Sequence, residues 1–484
     1  MIRLRLARSV ARAAALALAL AATSAGAAAP MVDRSRPPLP TEVQPYEVRE
    51  PERFTLSNGL EVLLVERHQV PLIDAVLVVR AGAEDDPKGL YGLASWTGAM
   101  LDEGAGDKDA LAFADAVEYL GATLQVGVDF ETTDLSLHVP SARFSEALSL
   151  LADAALRPRF DQKEWQRNKA RRATAFLQAR DDPWTLSSYA RAKALFDGHR
   201  YGVPVDGRPQ ALERAQAADL KAFHRAHYRP DNALLVVTGD VTKETLVPLL
   251  EERFSSWKAE GPLPKSAPAA ELPLPKGKEI VLVDKPGAAQ SVVFVLARAP
   301  AGLEPLDGPN NVMNTLLGGS FTSRLNQNLR EEKQYSYGAR SMFDLRDQAN
   351  VFAAYAAVAT PVTAPAVSEV LKELSRIKSY VEDTEAERAK GYLALSFPSD
   401  LATGASIASF WAWAAAEGVA PERVKSYQER VLAVNERSLL EAALRDIDTQ
   451  NLRVVVVGDR AKIEAELKAL EVGPVRVWRA ADLL

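Results

Sequence analysis

The chain has 484 residues, too many for one ordinary hydrophobic core, so at least two domains are expected. Apolar residues make up 47% of it and charged residues 25%, which is typical of a soluble globular protein and excludes a chain that is disordered throughout. A net charge of -6 argues against nucleic-acid binding, and the lack of cysteine excludes disulfides and thiol chemistry.

Residues 1–29 have the pattern of a secretory signal peptide: four arginines, then an apolar run over residues 13–22, then small residues at 25–27. The run is about half of the ~20 residues that a membrane-spanning helix needs, so we expect cleavage and no stable membrane anchor. No cysteine is present to carry a lipid. Cleavage removes four arginines and no acid, which changes the net charge from -6 to -10. A periplasmic or secreted protein is expected, and a Gram-negative periplasm is favoured.

The next residues predict a tether and a first domain. Proline and charge dominate residues 30–50, and Asn58-Gly59 between two extended runs predicts a tight turn. Hydrophobic periodicity then predicts a first domain over residues 51–257. Its strands are predicted at 54–66, 73–80, 123–139 and 233–238, and its helices at 91–101, 110–120, 143–155, 162–179, 185–196, 210–227 and 243–254.

A second domain, over residues 279–484, follows a proline-rich linker at 258–278. Its pattern repeats the first: residues 279–283 mirror 61–65, and Gly458 after a valine run mirrors Gly239. Val62 and Val281 are 219 positions apart, and so are Gly239 and Gly458. This shared offset indicates an internal duplication. The predicted fold class is α+β, two homologous α/β sandwich domains.

The stretch from residue 316 to 337 carries the strongest functional signal. A flexible double glycine precedes Leu325 and Leu329, whose spacing predicts a short helix that ends near Arg330. An extended segment then begins around Tyr337. The guanidinium and the phenol would converge from a helix end and a strand start, where both can donate to a peptide carbonyl or a developing oxyanion.

This stretch resembles the second-domain signature of the pitrilysin and insulinase metallopeptidase family, and the resemblance extends over essentially the whole mature chain. The His199-Arg200-Tyr201-Gly202 and Tyr228-Arg229-Pro230-Asp231-Asn232 segments match as well and are interpreted as structural loops. The resemblance implies paired pitrilysin-like domains around a peptide-holding chamber. It also implies roles in substrate binding or transition-state stabilisation for Arg330 and Tyr337, and in substrate binding for Gly318, Gly319 and Ser320.

The chain departs from the family at the zinc motif. Active members carry H-x-x-E-H on the first helix of the first domain, and the resemblance places Ser95 and Ala99 at the histidine positions and Gly98 at the glutamate position. The distal glutamate position falls on Thr174 or Ala175. None of these side chains is a suitable zinc ligand, so no cofactor is expected in this chain.

Other catalytic chemistries find little support in the sequence. His224 and His227 are spaced i,i+3 on a predicted helix and could chelate a metal, but no carboxylate accompanies them, and a packing role is favoured. A G-x-S-x-G nucleophile elbow and the phosphate-loop and dinucleotide fingerprints are absent.

The resemblance therefore implies a non-zinc subunit of a heteromeric periplasmic zinc peptidase that degrades or processes peptides. It would supply Arg330 and Tyr337 to an active site whose zinc lies on a homologous H-x-x-E-H partner, and it would be inactive alone. Unfolded peptides would add as a strand to an exposed sheet edge. Two alternatives remain: an inactive structural or peptide-binding scaffold of the same fold, and an independent peptidase with an unrecognised metal site.

Overall fold

Two six-stranded sheets form the framework of the protein. The computed structural model describes residues 43–264, 275–300 and 303–484, of which Pro45–Leu484 forms one compact unit. The predicted signal peptide, residues 30–42 of the predicted tether and residues 265–274 of the predicted linker lie outside the described residues. In the described part of the chain, no helix is both long and apolar enough to span a bilayer.

The first sheet has the strand order β1-β2-β6-β3-β5-β4, and β2 and β6 are parallel. The central strand β6 is buried along its whole length, as a continuous apolar run predicts. The strands are β1 Glu52–Thr55, β2 Glu61–Glu66, β3 Leu72–Val79, β4 Thr123–Val128, β5 Thr133–Pro140 and β6 Ala233–Gly239. The α-helices that accompany them are α1 Leu93–Gly98, α2 Ala110–Tyr119, α3 Phe144–Leu156, α4 Gln162–Ala179, α5 Pro183–Phe196, α6 Pro209–Arg214, α7 Ala217–His227 and α8 Lys243–Phe254.

The second sheet repeats this arrangement in the order β12-β7-β11-β8-β10-β9. Its strands are β7 Glu279–Asp284, β8 Gln290–Ala299, β9 Ser336–Asp344, β10 Asn350–Ala359, β11 Leu452–Gly458 and β12 Val475–Arg479. Its helices are α9 Gly308–Asn314, α10 Thr363–Arg376, α11 Asp383–Asp400, α12 Gly404–Ala416, α13 Pro421–Lys425, α14 Tyr427–Leu432, α15 Glu436–Asp446 and α16 Arg460–Ala469. Helical turns also lie at Thr315–Gly319, Arg324–Asn326 and Gln327–Glu332. The predicted α+β fold with two homologous halves is confirmed.

The two halves exchange a helix. Helix α5 of the first half packs on β11 and β8 of the second sheet, and α12 of the second half packs on β3 and β6 of the first sheet. Trp184 of α5 meets Phe294 edge to face, with 5.9 Å between ring centroids. Each sheet therefore has part of its apolar face covered by the other half, which joins the halves into one core.

The register of the paired strands corrects the predicted 219-residue offset between the two halves. Glu66 pairs with Gly239 across β2 and β6, and Asp284 pairs with Gly458 across β7 and β11. Gly239 and Gly458 are 219 apart, but Glu66 and Asp284 are 218 apart. The two correspondences thus differ by one residue, because the connections between equivalent strands differ in length. The duplication itself stands on the repeated strand order.

Two local predictions are also corrected. The helix predicted over 210–227 is divided between α6 and α7, because the backbone at Ala215 and Gln216 is extended. The double glycine predicted to be flexible belongs to a wide helical turn, Thr315–Gly319. A Cβ at Gly318 would lie 2.2 Å from the backbone nitrogen of Ser341 on β9, so this glycine serves a close approach rather than mobility.

Two carboxyl groups beside Tyr201 make the free energy of unfolding depend on pH. The Tyr201 hydroxyl lies 3.0 Å from a carboxylate oxygen of Glu84 and 3.0 Å from one of Glu131. A phenol has one proton to donate, so the second contact requires a protonated carboxyl. Burial raises the pKa of Glu84 to about 7 and that of Glu131 to about 8, and Asp347 of the β9–β10 connection adds to both shifts.

We therefore expect stability to fall as pH rises. The folded pKa values exceed the ordinary value of 4.5, so the folded chain binds more protons than the unfolded chain between these limits. The stabilisation is complete below about pH 4.5 and is lost as pH rises through about 8. Urea unfolding at a series of pH values should show this decline, and Glu131→Gln should flatten it. An identical pH profile for Glu131→Gln and the unsubstituted chain would contradict the assignment.

Candidate functional site

The resemblance assigns the zinc motif to Ser95, Gly98 and Ala99. Ala99 directly follows helix α1 and is partly buried, whereas all six residues of α1 are buried. Asp86 fixes where it begins: one carboxylate oxygen accepts from the Gly92 amide at 2.6 Å and the other from the Ala94 amide at 2.7 Å. Gly92 has φ of 114°, and a Cβ there would lie 2.4 Å from the Trp96 ring. The helix is therefore held rigidly at the position where family members place their metal ligands.

Arg172 of α4 lies beside α1. Its Nη2 donates to the Ser95 carbonyl at 3.1 Å, and its Nε donates to Asn168 at 2.9 Å. Asn168 in turn donates to the Ala99 carbonyl at 3.3 Å. Nη1 makes only long contacts, 3.4 Å to the Ser95 hydroxyl and 3.5 Å to the Asp206 carboxylate. A guanidinium thus links the two helices that would share the zinc ion in an active family member.

Gly98 is enclosed by the neighbouring strand. A Cβ at this position would lie 2.5 Å from Val128 Cγ2 and 3.5 Å from Val126 Cγ1, both on β4. Valine has a single, restricted side-chain torsion, so its methyl groups cannot move aside as the end of a long flexible side chain can. A glutamate at residue 98 would therefore require a shift of β4.

The residues present do not fit a zinc ion. Zinc is held by sulfur, imidazole or carboxylate ligands, and the positions of Ser95, Gly98, Ala99 and Ala175 supply none of them. Among the described residues, no three His, Cys, Asp or Glu side chains are grouped closely enough to hold a metal ion. The cation already present is Arg172, whose charge would oppose a divalent ion at the same place.

A cavity of about 420 Å³ opens beside the Arg172 side chain. Arg172 and Ala175 line it from α4, Tyr189 lines it from α5, and Asp206 lines it from the loop before α6. Ala175 is exposed there, so the predicted distal position faces open space. The degenerate zinc positions stay predictions, and Arg172, Asn168 and Asp206 were not identified from the sequence. The available signal was the i,i+4 spacing of Asn168 and Arg172, which puts both side chains on one face of the predicted helix 162–179.

Arg330 lies in the last turn of the helical segment Gln327–Glu332, which has π-type hydrogen bonding. Its side chain is 35% exposed, its guanidinium carbon lies 4.4 Å from the centre of the Phe321 ring, and its Nε lies 3.5 Å from the Glu331 carboxylate. Phe321 is itself exposed. Wide helical turns of this kind are frequent at functional sites.

Tyr337 lies on β9, the edge strand of the second sheet, and its side chain is 93% exposed. The register breaks at this residue: Ser336 pairs with Val358 and Ala339 with Ala356, so two β9 residues face one β10 residue. Such a bulge redirects a side chain away from the sheet. The structure therefore places the phenol in the open at a strand irregularity, not in the sheet's packing.

The turn and the strand that carry these residues are joined. The Ala339 amide donates to Asn326 at 3.2 Å, and the Tyr335 amide donates to the Leu329 carbonyl at 2.8 Å. Of the glycines and serine predicted to bind substrate, Gly318 is buried, whereas Gly319 is exposed and Ser320 is partly exposed. Substrate contacts by these residues, and by Arg330 and Tyr337, stay predictions.

The two neighbouring histidines do not form a metal site. The His224 ring lies 2.8 Å from the Ala155 carbonyl through Nε2 and stacks on Tyr228. The His227 ring is buried and stacks on Phe223. The rings have separate partners, which agrees with the favoured packing role.

Two family models match the chain. The model described as "Insulinase (Peptidase family M16)" matches residues 61–205, which contain α1, and the model described as "Peptidase M16 inactive domain" matches residues 214–393, which contain Arg330 and Tyr337. An uncharacterized zinc protease of Mycobacterium bovis is 27% identical over 361 residues, which are 74% of this chain and 81% of the relative.

Solved structures agree with these matches. A peptidase M16 inactive domain from Pseudomonas fluorescens has a TM-score of 0.78 at 23% identity, covering 84% of this chain and 98% of its own. A protease from Helicobacter pylori has a TM-score of 0.79 at 20% identity, covering 85% of this chain and 100% of its own. These structures share the fold. This chain is thus a two-domain protein built from two M16-type halves. The chain belongs to the M16 peptidase family, the pitrilysin and insulinase family.

Proposed function

We propose that this chain is the non-zinc, substrate-binding subunit of a heteromeric zinc metallopeptidase that acts on peptides in the periplasm. Its partner would be a homologous M16 chain that carries H-x-x-E-H and the zinc ion. Arg330 and Tyr337 would reach the partner's active site from the second half of this chain.

The observation that carries the proposal is the setting of Tyr337. Most tyrosines on strands are partly buried and pack against neighbouring side chains. The Tyr337 side chain is instead 93% exposed and lies on a bulge of an edge strand. Arg330 likewise has no buried carboxylate partner among the described residues; its nearest acid, Glu331, is 47% exposed. Tyr337 has no evident structural task, and the contacts of Arg330 are with the exposed side chains of Phe321 and Glu331, which favours a role that a second chain or a peptide completes.

The chemistry follows from the donors. When bound to the partner, zinc would activate the water that attacks the peptide carbonyl. On this chain, the forked guanidinium of Arg330 and the phenol of Tyr337 can both donate to the carbonyl oxygen as it gains negative charge. The open edge of β9 can pair with an extended peptide and fix its direction. This chain would thus orient the substrate and stabilise the oxyanion.

The test is reconstitution. We expect this chain alone to leave an unfolded casein substrate intact, the zinc-bearing homologue alone to be weak or inactive, and the mixture to cleave it, with the two chains eluting together. If this chain remains a monomer or homodimer beside its homologue and adds nothing to turnover, the proposal fails and the scaffold alternative gains.

A further inference from the structure

The cavity between α4, α5 and the loop before α6 is lined by a cation, Arg172, which donates to the Ser95 carbonyl of α1, and by Ala175, a predicted distal ligand position. Arg172 is the only Lys or Arg among the described residues that line it. Only 17% of its side chain is exposed, and burial lowers its pKa without removing its charge. A guanidinium that is mostly buried is strongly stabilised by an anionic hydrogen-bond partner.

The partners that Arg172 has in the chain leave one amino group poorly satisfied. Nε and Nη2 make hydrogen bonds of 2.9 and 3.1 Å, whereas the two contacts of Nη1 are 3.4 and 3.5 Å long. The longer contact is to Asp206, whose side chain is 69% exposed. An exposed carboxylate at that distance is a weak partner and can turn into solvent.

Most of the other polar side chains that line the cavity have hydrogen-bond partners within the chain, and Gln178 lines it as an exposed residue. Asp182 accepts from the amide and the hydroxyl of Thr185, both at 2.6 Å, and so caps the helix. Ser188 donates to the Thr185 carbonyl at 2.8 Å, and Tyr189 donates to the Gly207 carbonyl at 3.1 Å. The protons of Thr185, Ser188 and Tyr189 are thus engaged, so Nη1 of Arg172 is the charged donor that an incoming group would meet, with the exposed Gln178 amide as the neutral one.

We propose that this cavity binds the C-terminal carboxylate of a peptide, which displaces Asp206 from Arg172. The exchange replaces one carboxylate by another, so the charge around the guanidinium is unchanged. A carboxylate can accept from Nη1 at a shorter distance than Asp206 reaches, with the peptide chain running along the exposed surface of α4 at Ala175. The inference rests on the proposed role in peptide binding and narrows its substrate class to peptides with a free C-terminus.

The test uses two labelled ten-residue peptides that differ only in ending as a free acid or an amide, with fluorescence polarisation on the purified protein. We expect the acid to bind about 10-fold or more tightly than the amide, on the order of one charge-assisted hydrogen bond. Arg172→Ala should remove this preference, whereas Asp206→Asn, which deletes the competing carboxylate, should increase it. Arg171→Ala, an exposed arginine on the same helix, is the matched control and should change nothing.

The outcomes separate the two proposals. If both peptides bind equally and Asp206→Asn has no effect, the carboxylate site is wrong although peptide binding stands. If neither peptide binds this chain or its complex with the zinc-bearing homologue, peptide binding itself is wrong and the site falls with it. Should Arg172→Ala fail to fold, the sign of the Asp206→Asn effect decides the matter, since that side chain is exposed.

Discussion

Arg330→Ala and Tyr337→Phe should each lower turnover by the reconstituted pair about 100-fold or more, the usual cost of removing one donor from a developing oxyanion. The loss should appear mainly in kcat, because the donors act most strongly on charge that exists only in the transition state. Steady-state kinetics on a fluorogenic peptide would measure it.

Stability should change little in the same variants. Tyr337 is 93% exposed, and Arg330 contacts two exposed residues, the Phe321 ring at 4.4 Å and the Glu331 carboxylate at 3.5 Å. Such surface changes cost within about 0.5 kcal/mol, so lost activity would not reflect unfolding. Arg388→Ala and Tyr392→Phe, which remove an exposed arginine and an exposed tyrosine on α11, are matched controls and should leave turnover unchanged. Undiminished turnover in both Arg330→Ala and Tyr337→Phe would contradict the assigned role.

Asp86→Ala should destabilise the protein by about 3–5 kcal/mol, because it leaves a buried guanidinium without its counter-charge. Arg200 Nη2 lies 2.7 Å from the Asp86 carboxylate, and the two side chains are 7% and 0% exposed. The same carboxylate also holds the start of α1 through Gly92 and Ala94. Urea unfolding monitored by circular dichroism would measure the change.

A double-mutant cycle tests whether this loss comes from the pair. Asp86→Ala combined with Arg200→Met should cost less than the sum of the single changes, since no unpaired charge remains. Arg437→Ala is the control: its ion pair with Glu441 is exposed, at 87% and 62%, and its loss should cost only about 0.5 kcal/mol. Additive effects of the two buried changes would show that the residues act independently.

The strands of the first half and most of its helices could be predicted because their hydrophobic periods are strong; helix α4 and helix α8, for example, begin and end at the predicted residues. The exchange of α5 and α12 could not, because periodicity identifies an apolar face and not the sheet that covers it. The one-residue difference between the two offsets could be read from the sequence, since residues 61–65 and 279–283 are already 218 positions apart; matching Val62 with Val281 was wrong.

The candidate site was partly predictable. Residue types alone predict that Ser95, Gly98 and Ala99 cannot hold zinc, and the assignment of these positions to the zinc motif stays a prediction. The contact of Arg172 with Ser95 depends on which face of α4 meets α1, and the enclosure of Gly98 depends on β4. The exposure of Tyr337 also escaped prediction, because a bulge has no reliable signature in a strand of alternating side chains.

The most direct test of the predicted degenerate zinc site is metal analysis of this chain after dialysis against excess zinc and removal of loosely held ions. We expect no stoichiometric zinc in this chain alone and one zinc per heteromeric pair, held by the H-x-x-E-H partner. One tightly held zinc per copy of this chain, lost on substitution of residues around Ser95 and Arg172, would contradict it.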